Sequence, residues 1–233
     1  MHARFGPGAT AWPAGHPLPD REGPRTALRV TEGNPRHLSA HLERLRAGAE
    51  ALSESTPWMS GLEEALGDWV AAGTSGDGAL RLTLHGPEGL VSACLEPLPQ
   101  TPQPYRLAAM LHPRGGDLRS SPLARHKGLS GPWRQPVLAE ARARGADDAL
   151  LLWPEGTLAE TAIAALALEV GGVLLLPPPE GRVASLAEAL DLPAWAAARG
   201  LELRWEGIPL GRVAENRLWC LNAVRGIWAA NLL

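Results

Sequence analysis

"EARARGADDALLLWPEGTLAET", Glu140 to Thr161, is the stretch whose reading decides the fold. It opens on the end of a helical run stopped at Gly145, the residue type that most easily closes a helix in the left-handed conformation. "DDALLLW" follows as a buried strand, with Asp147 and Asp148 read as the helix-to-strand turn, and "GTLAET" is a turn into a further strand. Just upstream, "QPVLAEARARG" supplies the helix. Before that lies "SSPLARHKGLSG", Ser120 to Gly131, a loop punctuated by Pro and Gly that carries His126 and Lys127.

Downstream, "AALALEVGGVLLLPP" reads as a hairpin about Gly171 and Gly172, and "LAEALDLPAWAAARG" as one or two helices stopped at Gly200. "LELRWEGIPL" and "RLWCLNAVRGIWAANLL" supply closing strands. Towards the N-terminus, "PLPQTPQP" (Pro97 to Pro104) reads as an interdomain linker. "GALRLTLHGPEGLVSACLEPL" reads as a hairpin about the turn from His85 to Gly89. "SGLEEALGDWVAAG" fits a helix, with Ser60 as N-cap ahead of Glu63. In "RHLSAHLERLRAGAEAL", Leu38, Leu42, Leu45, Ala49 and Leu52 recur at helical intervals. "RTALRV" (Arg25 to Val30) is a short strand ended by "TEGNP", and the first 23 residues read as irregular. Strands and helices mix without a regular βαβ alternation, which predicts an α+β fold. The domains fall at 1–100 and 105–233.

The bulk numbers exclude several function classes. The 233 residues are 45% hydrophobic and 20% charged, and a net charge of -3 gives no pull towards nucleic acid. Arginine greatly outnumbers lysine. Cys94 and Cys220 fit no metal-ligand spacing and read as small apolar strand residues rather than a disulfide. The start, "MHARFGPGATAWPAG", lacks a signal layout. The longest apolar stretch, "TAIAALALEVGGVLLLPPP", is broken by Glu169, Gly171 and Gly172, so no membrane span and a cytoplasmic location are expected.

A loop lysine is normally a solvated charge. It becomes a Schiff-base former where a site favours its neutral form, and its commonest cofactor in that role is pyridoxal 5'-phosphate (PLP). That cofactor needs an acid for its ring nitrogen, a phosphate cradle of backbone N–H groups with an arginine, and a wall for the ring.

Here the sequence resembles the class IV, PLP-dependent aminotransferase and lyase family, known as fold type IV. "SPLARHKGLS" is similar to its lysine motif, which makes Lys127 the match for the Schiff-base lysine. Glu160, thirty-three positions on, matches the acid at the ring nitrogen. "GNPRHLSAHLERL" is similar to the N-terminal helix whose arginine grips the phosphate, the match being Arg44. "LNAVRGI" (Leu221 to Ile227) resembles the strand-end motif whose small residue, here Ala223, lies at the phosphate. The phosphate loop aligns with Ser185, Leu186, Ala187 and Glu188, where Leu186 and Ala187 offer backbone N–H groups. The resemblance implies two α/β domains with the cofactor in the cleft between them, the C-terminal domain carrying the lysine, and a homodimer acting on a small amino substrate.

The chain departs from the family pattern between "PDRE" and "TALRV", where only Gly23, Pro24 and Arg25 stand in place of a longer Gly-rich, acidic–aromatic stretch, and at four further positions. Gly131 stands where a tyrosine is usual, Ala165 where an asparagine is usual, and Ala187 lacks the usual hydroxyl. Glu188 brings a carboxylate to the phosphate loop, repulsive unless it points away. His41 and His126 read as structural residues. Arg225 reads equally as a substrate-carboxylate contact or a surface ion pair, and Trp133 as a filler of the missing tyrosine's space. Within the family, the short chain and its "LNAVRGI" ending look most like aminodeoxychorismate lyase, which forms 4-aminobenzoate and pyruvate. A class IV aminotransferase acting on branched-chain or D-amino acids, and a degenerate homologue with weak or no PLP binding, stay open.

Overall fold

The computed structural model describes residues 1–10, 22–54, 56, 59–86, 89–115, 121–129 and 132–233. Gly131, the place of the absent tyrosine, lies outside the described residues. The chain divides into two compact units: Met1–Pro99 with His126–Ser130, and Gln100–Arg125 with Gly131–Leu233. The fold is mixed α+β, with one sheet in each unit.

The first unit holds strands β1 (His2–Phe5), β2 (Glu22–Thr31), β3 (Asn34–Pro35), β4 (Gly78–His85) and β5 (Leu90–Glu96), and helices α1 (Leu38–Glu50) and α2 (Leu62–Gly73). The sheet order is β1-β5-β4-β2-β3, antiparallel throughout. The stripe Leu38, Leu42, Leu45 and Ala49 packs with Leu28 and Val30 of β2 and with Leu80, Leu82 and Leu84 of β4, while Arg81 between them faces out. Full burial of a leucine such as Leu45 contributes about 1.5–3 kcal/mol. Two expectations are corrected. The N-terminal stretch is not wholly irregular, because His2–Phe5 adds an edge strand to β5. Helix α2 is preceded by Gly61 in the left-handed conformation, with no side-chain cap from Ser60.

The second unit holds β6 (Tyr105–Leu111), α3 (Arg134–Ala143), β7 (Asp148–Leu152), β8 (Leu158–Thr161), β9 (Ala165–Val170), β10 (Val173–Leu176), α4 (Leu186–Leu190), α5 (Leu192–Ala197), β11 (Glu202–Trp205), β12 (Arg217–Asn222) and β13 (Gly226–Leu232). Its sheet runs β11-β10-β9-β12-β13-β6-β7-β8. Strands β7 and β9 are apolar on both faces because both faces are covered. On β7, Leu150 and Leu152 join one core, while Ala149 and Leu151 join another with Val137, Leu138 and Ala141 of α3. On β9, Leu166 and Leu168 share the first core, and Ala165 and Ala167 pack with residues of α4 and α5. Asp148 is a correction: it is not a turn residue but opens β7, fully buried. Among the described residues no helix is long and apolar enough to cross a membrane.

Candidate functional site

Lys127 is the only lysine in the sequence. It is half-buried in a turn whose backbone is tied to the start of β2, where the Lys127 carbonyl accepts the Arg25 N–H at 2.9 Å. Gly128 makes this docking possible. Its φ is +102°, and a Cβ there would meet the Gly23 carbonyl oxygen at 2.8 Å. A second close approach brings α1 onto the same region, for a Cβ on Gly48 would meet the Pro24 ring at 2.6 Å.

Arg44 lies on α1, half-buried, one turn beyond His41, so both face the same way. His41 is buried and shares a 2.6 Å hydrogen bond between its Nδ1 and Thr26 Oγ1. Burial first, then the positive charges of Arg44, Lys127 and His37, push its pKa down to about 3. His41 is therefore a neutral imidazole among cations. Such a group of donors receives an anion rather than a cation.

Glu160 lies on β8 of the second unit, 6% exposed. Its Oε1 accepts from Arg134 Nη2 at 3.5 Å. Burial raises its pKa; Arg134, Arg182 and the Val183 N–H pull the other way, and Asp148 adds to the rise. The chain leaving Glu160 is held firmly. Asp148 Oδ1 accepts the Ala149 N–H at 2.8 Å and the Ala162 N–H at 3.2 Å, and Thr161 Oγ1 accepts the Ala164 N–H at 2.8 Å.

Leu186 and Ala187 open the short helix α4, with Ser185 as N-cap accepting the Glu188 N–H at 3.2 Å. Their backbone N–H groups belong to a first turn, where no intrahelical acceptor exists. The Ala187 side chain packs into the core, as does Ala165, so apolar contacts fill the places of the hydroxyl and the asparagine. Glu188 turns towards Arg182, which meets its two carboxylate oxygens at 3.1 and 3.3 Å and also donates to the Pro177 and Pro178 carbonyls. Its charge is thus compensated inside the fold. Ala223 sits in the turn from β12 to β13, where Asn222 Oδ1 accepts the Val224 and Arg225 N–H groups at 3.0 and 2.8 Å. Arg225 lies 5.9 Å from the Tyr105 ring and 5.8 Å from that of Trp228.

In the first unit, then, Lys127 and Arg44 gather about His41. In the second, Arg182 connects the surroundings of Glu160 to the helix bearing Leu186 and Ala187. Asn222 Nδ2, donating to the Ile163 carbonyl at 3.3 Å, connects the Ala223 turn to the chain after Glu160. Reading the sequence missed Arg134, Arg182, Asp148 and Asn222. Asn222 carried a signal, an Asx residue two positions after Cys220 and opening a turn. The two arginines carried none toward Glu160, which lies 26 positions from Arg134 and well before Arg182 in the chain.

Each unit, taken by itself, holds groups of the kind PLP needs: a primary amine at Lys127 and a cation at Arg44 in the first, and a shielded acid at Glu160 in the second. No curated protein matches the chain. Among solved structures, a fold IV transaminase from Curtobacterium pusillum has a TM-score of 0.82 at 20% identity, over 100% of this chain and 92% of that one. The PLP-bound form of a hypothetical aminotransferase from Mycobacterium tuberculosis has a TM-score of 0.82 at 20% identity, over 99% and 90%. The 4-amino-4-deoxychorismate lyase of Pseudomonas aeruginosa has a TM-score of 0.72 at 23% identity, over 99% and 91%. The family model described as amino-transferase class IV matches residues 25–232. The chain belongs to the class IV amino-transferase family, whose members are PLP-dependent enzymes.

Proposed function

We propose that this chain is a PLP-dependent lyase of the aminodeoxychorismate lyase type, converting 4-amino-4-deoxychorismate to 4-aminobenzoate and pyruvate. The observation that supports the PLP part is the docking of the turn bearing the only lysine onto the start of β2, where α1, the helix of Arg44, also makes its close approach at Pro24. The lyase part is supported by the "LNAVRGI" ending, which forms the Asn222-capped turn bearing Ala223.

Bound at Lys127, PLP supplies an electron sink for bond breaking at the substrate's amine-bearing carbon. The chain's residues divide the remaining work. Arg44 would attract the phosphate by charge, the Leu186 and Ala187 N–H groups would donate to it, and the small Ala223 would leave it room. Glu160 holds a proton at the ring nitrogen. Lys127 Nζ would take and return protons as general base and acid. His41, bonded to Thr26, stays uncharged and adds no positive charge beside the lysine. A homodimer, a small amino substrate and a cytoplasmic location complete the reading.

A product assay tests it. Purified protein supplied with PLP and 4-amino-4-deoxychorismate is expected to release 4-aminobenzoate. Keto-acid formation from branched-chain or D-amino acids with 2-oxoglutarate, without 4-aminobenzoate, would replace the lyase by an aminotransferase.

A further inference from the structure

Two arginines act on the buried Glu160, and their other commitments differ. Arg182 is 2% exposed and gives its guanidinium to both oxygens of Glu188 and to two proline carbonyls. Its charge is largely balanced there. Arg134 comes from α3, with its side chain 17% exposed, and makes its ion pair with Glu160 itself.

Arg134 is also built into place. Its guanidinium carbon lies 4.3 Å from the centre of the Trp133 ring. Trp133 leans on His112 at 4.7 Å, and His112 stacks on Trp153 at 5.1 Å with planes 21° apart. Trp133, His112 and Trp153 are all buried. His112 Nδ1 accepts the Arg114 N–H at 3.2 Å, and burial, then Arg134 and Arg114, push the His112 pKa down to about 4. The stack is thus uncharged at neutral pH and presents an aromatic face to the guanidinium, a favourable cation–π arrangement. The last charged neighbour of Glu160 is Asp148, held by the backbone N–H groups of Ala149 and Ala162.

We propose that Arg134 is a positioning residue for Glu160: seated on the Trp133–His112–Trp153 stack, it fixes where the carboxylate points and offsets its negative charge inside the fold. No motif of the sequence assigns it this role. The inference deepens the proposed function, on which Glu160 serves a ring nitrogen, and Arg134 then sets the charge that nitrogen meets. The placement of Arg134 stands without that reading.

The test uses the full-length protein, without added PLP, carrying glutamate labelled with 13C at the side-chain carboxyl. The Glu160 resonance is the one lost in Glu160→Gln. In Arg134→Gln its titration midpoint is expected to rise by about one pH unit or more, a tenfold gain in proton affinity. Arg134→Lys, which restores the charge, is expected to recover more than half of that change. Trp133→Leu keeps the charge but removes its seat, and is expected to shift the midpoint less, in the same direction. A midpoint that stays at the wild-type value in Arg134→Gln, with near-UV circular dichroism unchanged, overturns the proposal. Should Arg134→Gln not fold, an unchanged midpoint in Trp133→Leu overturns it. PLP titrated into wild type separates the readings: failure to bind ends the proposed function and leaves the role of Arg134 intact.

Discussion

The surroundings of His41 and of Glu160 solve opposite electrostatic problems. Around His41 in the first unit, the charges that act on the imidazole are all positive: Arg44, Lys127 and His37. Around Glu160 in the second unit both signs are present, with Arg134 and Arg182 set against Asp148, and Arg182 itself paired to Glu188. One region places a neutral imidazole among cations. The other closes its charges on themselves. The difference predicts that the paired Arg182 of the second unit contributes more to stability than an exposed cation of the first such as Arg29.

The largest stability effect expected is at Arg182. Arg182→Ala removes the buried guanidinium that pairs with the Glu188 carboxylate and donates to the Pro177 and Pro178 carbonyls, and should lower the unfolding free energy in urea by about 3–5 kcal/mol. A loss under about 1 kcal/mol would break the comparison, because the second unit would then not depend on its internal pairing. The exposed pair Arg29–Asp77, at 2.6 Å on the first unit, supplies the scale at the other end, as argued below.

Acid sharpens the contrast. His41 titrates near 3 in the folded chain against an ordinary 6.5, so its contribution is complete above pH 6.5 and is lost as the pH falls towards 3. At 1.36 kcal/mol per unit, lowering the pH from 6.5 to 4.5 should cost about 2–3 kcal/mol through this residue. His41→Gln should flatten that part of the profile and leave the part due to His112, which titrates near 4. An unchanged acid slope in His41→Gln would contradict the picture of a neutral imidazole among cations.

Much of this arrangement was legible in the sequence, for identifiable reasons. The stripe Leu38, Leu42, Leu45, Ala49 announced α1 because one amphipathic face suffices to define a helix against a sheet. The apolar run of β7 announced a buried strand, and the run about Gly171 and Gly172 announced the hairpin of β9 and β10. Asp148 was misread because an acid between a glycine-stopped helix and a strand looks like a turn. Its burial depends on the N–H of Ala162, fourteen positions away. Edge strand His2–Phe5 has no pattern of its own and exists through pairing with β5. Arg134 and Arg182 were invisible for a similar reason, since an arginine in a sequence gives no sign of the carboxylate it will meet.

Two smaller effects complete the set. Gly128→Ala places a Cβ against the Gly23 carbonyl at a φ of +102°, and should lower stability by about 1–3 kcal/mol, read as a fall in Tm. A neutral outcome would mean that the lysine turn is not held as tightly against β2 as its hydrogen bond to Arg25 indicates. Arg29→Ala removes a solvent-exposed partner and should change stability by less than about 1 kcal/mol in the same urea experiment.

The central claim, that Lys127 is the attachment point of PLP, has a direct measurement, made unusually clean by there being no second lysine. Wild-type protein with PLP is expected to develop a visible absorption band that borohydride removes, with the reduced cofactor's mass left on the peptide containing Lys127. Lys127→Ala is expected to show neither. A wild-type protein without such a band at saturating PLP, or with the added mass on Met1 instead of Lys127, would contradict the account.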